Sequence, residues 1–521
     1  MPVRSAVVAT ILLASTLLAT DGNAAWPNHA INLPVHVAAG TQAFTAIVSD
    51  GTGGVIIVWR DSPRIRAIRV LADGTFAWDS STTVWSGSTF LLPQVVSDGA
   101  GGAYIASSPS QDPSSAYVQH LSSDGETLWS VTQTSADDSD IAADGMGGAI
   151  FVWESYKSYS TGVNVHVQRF GGSGSLWDVN LHSGVHQLKP SVASDGAGGA
   201  FISWEENSVV KAQSLDPLGA ARWPTPSVSL GPGGLPRIIS ASGGSALVAW
   251  LNAGSLLVRK IGPSGVPLWG APLEVGPISG ELRVTSTPDG GMILVWEHTD
   301  PPYGHLAAQS IQADGTILWE PGGLELDNLG SPNNSFDISP DGSGGVVVTY
   351  SDGPGGFNVF AQHISPYGEL LWGIGGVPVS SALDDQMGPA VAWAGDAYAI
   401  SAWTDQRSDG GDIYAQLVDG PSNVSIGDVD RGLAGPTVSP NPFRSDFFIH
   451  LSSAHAGMLQ GTMFDVRGRR VASSTWNVPQ GRSAVHWGIR DAVSSPLEPG
   501  VYFVRLSMTD WQREFRVVQV R

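Results

Sequence analysis

A unit that recurs eight times constrains this chain more than any other feature. Its clearest copy runs from Pro190 to Trp223, PSVASDGAGGAFISWEENSVVKAQSLDPLGAARW. The period is roughly 46 to 53 residues, the size of a four-stranded propeller blade. Each unit opens with a short run ending in an Asp-Gly or Gly-Gly turn, as at Asp50-Gly51, Asp98-Gly99, Asp144-Gly145, Asp195-Gly196 and Asp341-Gly342. In the eighth unit Gly395-Asp396 stands there. An apolar run follows and ends in an aromatic residue: Trp59, Trp153, Trp204, Trp250, Trp296, Tyr350 and Trp403. A third run carries a recurrent Gln (Gln119, Gln168, Gln213, Gln309, Gln362, Gln416), and a Gly turn then leads to a closing Trp.

Each run reads as a β-strand. GVIIVW and AIFVW are short, apolar and β-branched, bounded by Gly, as strands buried on both faces are. Asp-Gly between two such runs marks a tight hairpin, because its turn needs φ > 0. The unit is therefore a four-stranded meander, with the small-residue first strand innermost, where units crowd around an axis.

Two defects at the ends of the array cancel. Ala25-Trp26-Pro27 and the following INLPV look like a fourth strand without its three predecessors. The eighth unit supplies three strands and then runs into GPSNVSIG with no Trp. If the N-terminal strand completes the last unit, the array closes with no free sheet edge. The expected fold is all-β: an eight-bladed β-propeller followed by a small Ig-like β-sandwich. A seven-bladed ring with one degenerate unit outside it, or an open solenoid, are the alternatives.

The chain divides into residues 1–24, 25–419, 420–436 and 437–521. The first stretch reads as a signal peptide, with Arg4, an apolar run to Ala19 and a small-residue cleavage site at Gly22-Asn23-Ala24. The second is the repeat array, the third an unpatterned linker, and the fourth a separate β domain. There is no Cys, which removes thiol catalysis and thiolate metal sites. The net charge is −21, but 437–521 holds 10 Arg against 6 Asp and Glu. The acidic remainder argues against nucleic acid as a partner.

Loops after the second strands fall on one face and vary freely, as binding loops on a rigid scaffold do. An acid closely follows the aromatic end in six units: Asp61, Glu154, Glu205, Glu297, Asp352 and Asp405. These form a candidate rim for a cation or basic partner, or are loop starts that bond their own backbone. The recurrent Gln reads as structural, and the turn Asp residues as turn formers rather than calcium ligands. His182 and His186 lie in a connector without the Glu and helix of a zinc protease. His120, His166 and His363 share no evident motif. No catalytic residue, metal or cofactor is expected.

The repeats resemble those of bacterial exported propeller proteins, DGxGGxxxxW…DxYAQ…GxxLW, the last unit best. LADGTFAW is similar to the sialidase Asp-box but has Gly74 directly after Asp73, and no arginine triad can be assigned. The C-terminal region carries Ser439-Pro440-Asn441-Pro442, Phe464-Asp465-Val466-Arg467-Gly468-Arg469, Pro499-Gly500-Val501-Tyr502-Phe503 and the basic tail Arg513 to Arg521. It resembles the type A sorting domain of type IX secretion substrates and the Ig-like domain of the flagellar hook-capping protein. Trp487-Gly488-Ile489-Arg490-Asp491 stands where that family has Trp-Asp-Gly. The resemblance implies secretion machinery as partner, through Pro440, Asn441, Pro442, Gly468, Gly500 and Tyr502. It also implies export to the outer-membrane surface or beyond. The expected function is binding or adhesion to a surface glycan or protein, by a monomer with no transmembrane segment after signal cleavage. A glycan-active hydrolase or lyase on the loop-rich face, and a structural surface-layer component, are the alternatives. A binding ring should repeat its residues around the axis; an enzyme should gather a cluster found once.

Overall fold

The computed structural model describes residues 26–419 except 30, 88–90, 110–114, 135, 157–161, 225, 301–302, 327–334, 353–356, 374, 396 and 409. It also describes 437–519 except 440–445, 454–456, 466–468, 479–480, 489–499 and 509–511. The expected signal peptide and linker, and Pro440, Asn441, Pro442 and Gly468, lie outside the described residues. So do parts of the variable loops.

The described chain is all-β and propeller-like, with one short 3-10 turn at Ser242–Gly244. Residues 33–418 form eight four-stranded antiparallel sheets. Seven are sequential meanders. The eighth has three strands from residues 386–418, and its fourth strand is Leu33–His36 from the other end of the array. Leu33 pairs with Ala415 and His36 with Ile413, which is the pairing the orphan N-terminal strand requires. The first strands of consecutive sheets lie against one another, and the first strand of the last sheet lies against Gln42–Ser49 of the first.

The second strands are the core. Val55, Ile56, Ile57, Val58 and Trp59 are all fully buried, as a strand covered on both faces must be. Trp59, Trp204, Trp250, Trp296, Trp403 and Tyr350 are among the largest fully buried side chains. The closing Trp residues tie each sheet to the next. Trp78 Nε1 donates to Ser123 O at 2.8 Å, Trp177 Nε1 to Pro217 O at 3.0 Å and Trp319 Nε1 to Pro366 O at 3.1 Å. Trp26 Nε1 makes the same bond to Ala72 O of the first sheet at 2.9 Å, so it serves as the closing Trp of the eighth.

The recurrent Gln closes the second turn from inside. Gln309 Oε1 accepts from Ser310 N and Trp319 N, both at 2.9 Å, and its Nε2 donates to Glu320 O at 2.8 Å. Gln362 and Gln213 repeat this set, while Gln416 Nε2 reaches Pro27 O at 2.9 Å across the closure.

The Asp-Gly turns follow one plan too. In five sheets Asp50, Asp98, Asp144, Asp195 and Asp341 accept two backbone N–H bonds on Oδ1, from residues two and four further on, at 2.7–2.9 Å. The residue four on must be glycine: a Cβ at Gly148 would lie 2.2 Å from Phe170 O and 2.6 Å from Asp144 Oδ2. The Oδ2 meets a side-chain nitrogen: Arg69, His120, Arg169, Arg222 or His363. His120 and His363 thus do share a motif, contrary to the sequence reading. Each follows the recurrent Gln directly, in the register that faces the turn Asp.

The C-terminal region has its own core. A three-stranded and a four-stranded antiparallel sheet share Ile449, Leu459, Met463, Trp487, Val504 and Leu506. Gly500 begins the strand Gly500–Ser507, and Tyr502 is buried in that core.

Candidate functional site

The innermost strands do not run evenly to the mouth of the central space. In five sheets the strand carries a β-bulge opposite the buried aromatic residue, between Ala43 and Ala46, Asp137 and Ser139, Leu188 and Ser191, Gly234 and Arg237, and Met387 and Ala390. Each bulge places one residue at positive φ: Phe44 (56°), Asp138 (27°), Lys189 (54°), Leu235 (51°) and Gly388 (59°). Four of the five are not glycine. Non-glycine residues at positive φ are uncommon and cluster at functional sites.

The backbone device repeats, but its side chains do not. Asp138 and Lys189, from neighbouring sheets, form an ion pair at the mouth. Both line a cavity of about 650 Å³ walled by the innermost strands of sheets two to six. Behind them sits Glu154, paired directly with Asp137 across the strand ladder and only 3% exposed. Its Oε1 accepts the Lys189 backbone N–H at 2.7 Å. Burial pushes the Glu154 carboxyl up to about 7; that N–H bond opposes the rise, and the charges of Asp138 and Asp137 add to it.

Two residues deeper, Asp140 lines the same cavity. Its Oδ2 accepts from Ser191 Oγ at 3.1 Å and Val192 N at 3.0 Å, and its Oδ1 from Ile141 N at 2.9 Å. Burial raises its carboxyl above the usual range, against these bonds and the nearby Arg237 charge. Asp140 belongs to a layer of eight equivalent positions, set by register one residue before the buried aromatic: Ala46, Gln94, Asp140, Ser191, Arg237, Arg283, Asp337 and Ala390. Asp337 Oδ2 accepts Val391 N at 3.0 Å, the bond that Asp140 makes to Val192. The strand of Asp337 has no bulge, so no acid stands above it as Asp138 stands above Asp140.

The six acids expected to form a rim are each held locally. Asp61 pairs with Arg66 (2.5 Å). Glu154 joins the mouth cluster. Glu205 is half-buried against Gly234 of the next sheet. Glu297 accepts Glu281 N at 3.1 Å, and burial raises its carboxyl. Asp352 is fully buried. Asp405 accepts Trp403 Nε1 at 3.0 Å and pairs with Arg407, which donates onward to Ile31 O and Asn32 Oδ1 at 2.8 Å, latching the closure. Of the six, the structure brings Glu154 alone into the cavity-mouth cluster. The sequence reading missed Asp137, Asp138, Asp140 and Lys189. Their signal was present: ADDSD at 136–140 puts three acids in a strand whose counterparts hold small residues, and Asp is depleted in strands. His182 and His186 make separate local contacts, with Asn164 Oδ1 and Val163 N.

No protein-family profile and no curated protein sequence matches the chain. Among solved structures it is similar to oligopeptidase B from Trypanosoma brucei, with 13% identity over 72% of this chain and 54% of that one and a TM-score of 0.43. It is similar to the α-L-arabinofuranosidase of Fusarium graminearum, with 10% identity over 55% of this chain and 93% of that one and a TM-score of 0.32. A third is the arabinoxylan arabinofuranohydrolase from Bacillus subtilis, with 11% identity over 94% and 99% and a TM-score of 0.29. The chain spans about half the length of the peptidases it matches, 54% and 56%. These neighbours are β-propeller proteins, in keeping with the propeller-like sheets. By name they are peptidases and glycosidases. The expected binding or adhesion role is not what these neighbours are named for. Within the described residues the pairing of Asp138 with Lys189 occurs at one bulge, while Asp140 has its counterpart in Asp337.

Proposed function

We propose that this chain is an exported glycan hydrolase, an eight-bladed β-propeller followed by an Ig-like sorting domain, whose reaction takes place at the Asp138 mouth. The observation that carries the reading is the pair of cavity-lining carboxyl groups in one strand, Asp138 and Asp140, held in unlike surroundings. Glycosidic cleavage needs such a pair: one carboxyl that keeps a proton and one carboxylate. Asp140 is desolvated and hydrogen-bonded. Asp138 is ion-paired with Lys189 and more than a third exposed. In this reaction Asp140 gives its proton to the glycosidic oxygen, and the C–O bond breaks with its electron pair going to that oxygen. Water bonds the anomeric carbon and passes a proton to Asp138. Glu154 is a positioning residue that bonds the Lys189 backbone and so fixes the mouth.

Closure of the array by Leu33–His36 supports the eight-bladed count, and the two sheets around one core support the Ig-like reading. Among the described residues no helix is long and apolar enough to cross a membrane. Export through 437–521 is tested by ending the chain near Gly435: the shortened protein should stay in the periplasm of its host, and normal secretion would defeat the sorting role. Hydrolysis is tested by incubating the purified protein with a panel of neutral and acidic polysaccharides and measuring new reducing ends. Asp138→Asn should lower the rate by at least ~100-fold. A panel left intact by the parent protein, or equal rates for the variant, would end the hydrolase reading.

A further inference from the structure

We infer that Arg237 and Arg283 form a subsite for a sugar carboxylate, so that the glycan taken by this cavity carries uronate residues. The inference deepens the hydrolase reading of the same cavity and rests on it. The two guanidinium groups come from adjacent innermost strands, at the same layer of the wall, and both line the cavity. Cations are outnumbered here: the chain has 26 Lys and Arg against 47 Asp and Glu. The cavity lining gathers three of them, Lys189, Arg237 and Arg283, with two acids, Asp138 and Asp140, and Asp337 lies near Arg283.

The existing partners leave donors over. Lys189, the third cation of the cavity, is taken by Asp138. Arg237 has Pro236 O at 3.2 Å and lies near Asp140. Arg283 gives Nη2 to Glu281 Oε1 at 2.7 Å, while its Nε is buried with no hydrogen-bond partner among the described residues. A guanidinium carries five donors in a rigid fork, and a buried donor without an acceptor is costly. A planar carboxylate accepts two parallel N–H bonds from such a fork. The subsite lies in the layer of Asp140, two residues below Asp138, and lines the same cavity as that pair.

The test is calorimetric titration of the full chain carrying Asp138→Asn, which blocks turnover, with trigalacturonate and with its carboxyl-reduced neutral counterpart. The acidic trisaccharide should bind at least roughly tenfold more tightly. Arg283→Gln should remove most of that preference, and Arg283→Lys should restore only part of it. Arg283 is a half-buried channel residue, so the folded state of each variant is checked by thermal unfolding. Should either variant fail to fold, salt titration of the parent binding replaces it, and the preference must shrink as salt rises. Equal binding of the two sugars, or a preference that survives Arg283→Gln and high salt, overturns the subsite. Cleavage of neutral polysaccharides with no response to uronate overturns the subsite and leaves the hydrolase reading standing. Arginine-dependent uronate binding with no cleavage of any polysaccharide does the reverse.

Discussion

The two ends of the propeller-like array obey different rules. At the turn end, five Asp residues make the same two backbone bonds and each meets an Arg or His nitrogen with its other oxygen. At the other end five bulges repeat the backbone, but the positive-φ residue is Phe, Asp, Lys, Leu or Gly. Repetition of side chains marks parts that every sheet needs in order to fold. Repetition of backbone with divergent side chains marks a frame on which one site has been written. The acids at the mouth also break a local rule, since Asp137 and Glu154 face each other across an antiparallel pair, where like charges destabilise. Such conflicts are tolerated where function requires them.

Both ends depend on closure of the frame. Removing residues 25–36 deletes the fourth strand of the eighth sheet, together with the Asn32 contacts to Gln416 and Arg407. It leaves an open edge along Asp412–Val418. The largest expected effect in the molecule is loss of one cooperative thermal transition in this truncation. A truncated protein that melts as the parent does would show that closure adds nothing.

Next in size is the aromatic that each bulge faces. Trp204 is 1% exposed and stands opposite the Lys189 bulge. Trp204→Ala should cost about 3–5 kcal/mol in urea unfolding. A loss under about 1 kcal/mol would mean that the bulges rest on something other than the buried ring.

The repeat, the hairpins and the N-terminal strand's destination were legible because each is a local pattern: an Asp-Gly turn, an apolar run, a Trp after a Gly. The role of the recurrent Gln was legible as structural for the same reason. The nitrogen partner of each turn Asp was not, since Arg69, His120, Arg169 and His363 differ in type and only the register aligns them. The mouth was least legible. A bulge shifts one residue, and no alternation rule says which side chain then meets the cavity. Asp138 and Lys189 are 51 residues apart, and no spacing of residue types joins them.

The third effect separates the two ends by pH. Glu154 has its carboxyl raised from 4.5 to about 7. A raised acid binds more protons when folded, so its contribution falls as pH rises from 4.5 through 7. The site should therefore cost stability above pH 7, by up to roughly 3 kcal/mol. Glu154→Gln should remove that slope and be more stable than the parent at pH 8, while altering the pH profile of hydrolysis. An unchanged slope in the variant would take Glu154 out of the site.

The smallest effect belongs to the turn end and has the opposite sign. Asp341 is held at about 2, below its usual 3.8. Burial alone would raise it, but the bonds from His363, Ser343 and the Gly345 N–H outweigh burial. A depressed acid binds fewer protons when folded, so its stabilisation is present above about pH 4 and is lost as pH falls through about 2. Asp341→Asn keeps an oxygen for the two N–H bonds but loses the charge that meets His363. In urea unfolding between pH 5 and 2 the variant should show a shallower fall in stability than the parent, with hydrolysis at pH 7 unchanged. A fall as steep as the parent's would mean that the turn is held by its backbone bonds alone. A loss of hydrolysis would mean that the two ends are not separate, and the division between repeated frame and single site would have to be abandoned.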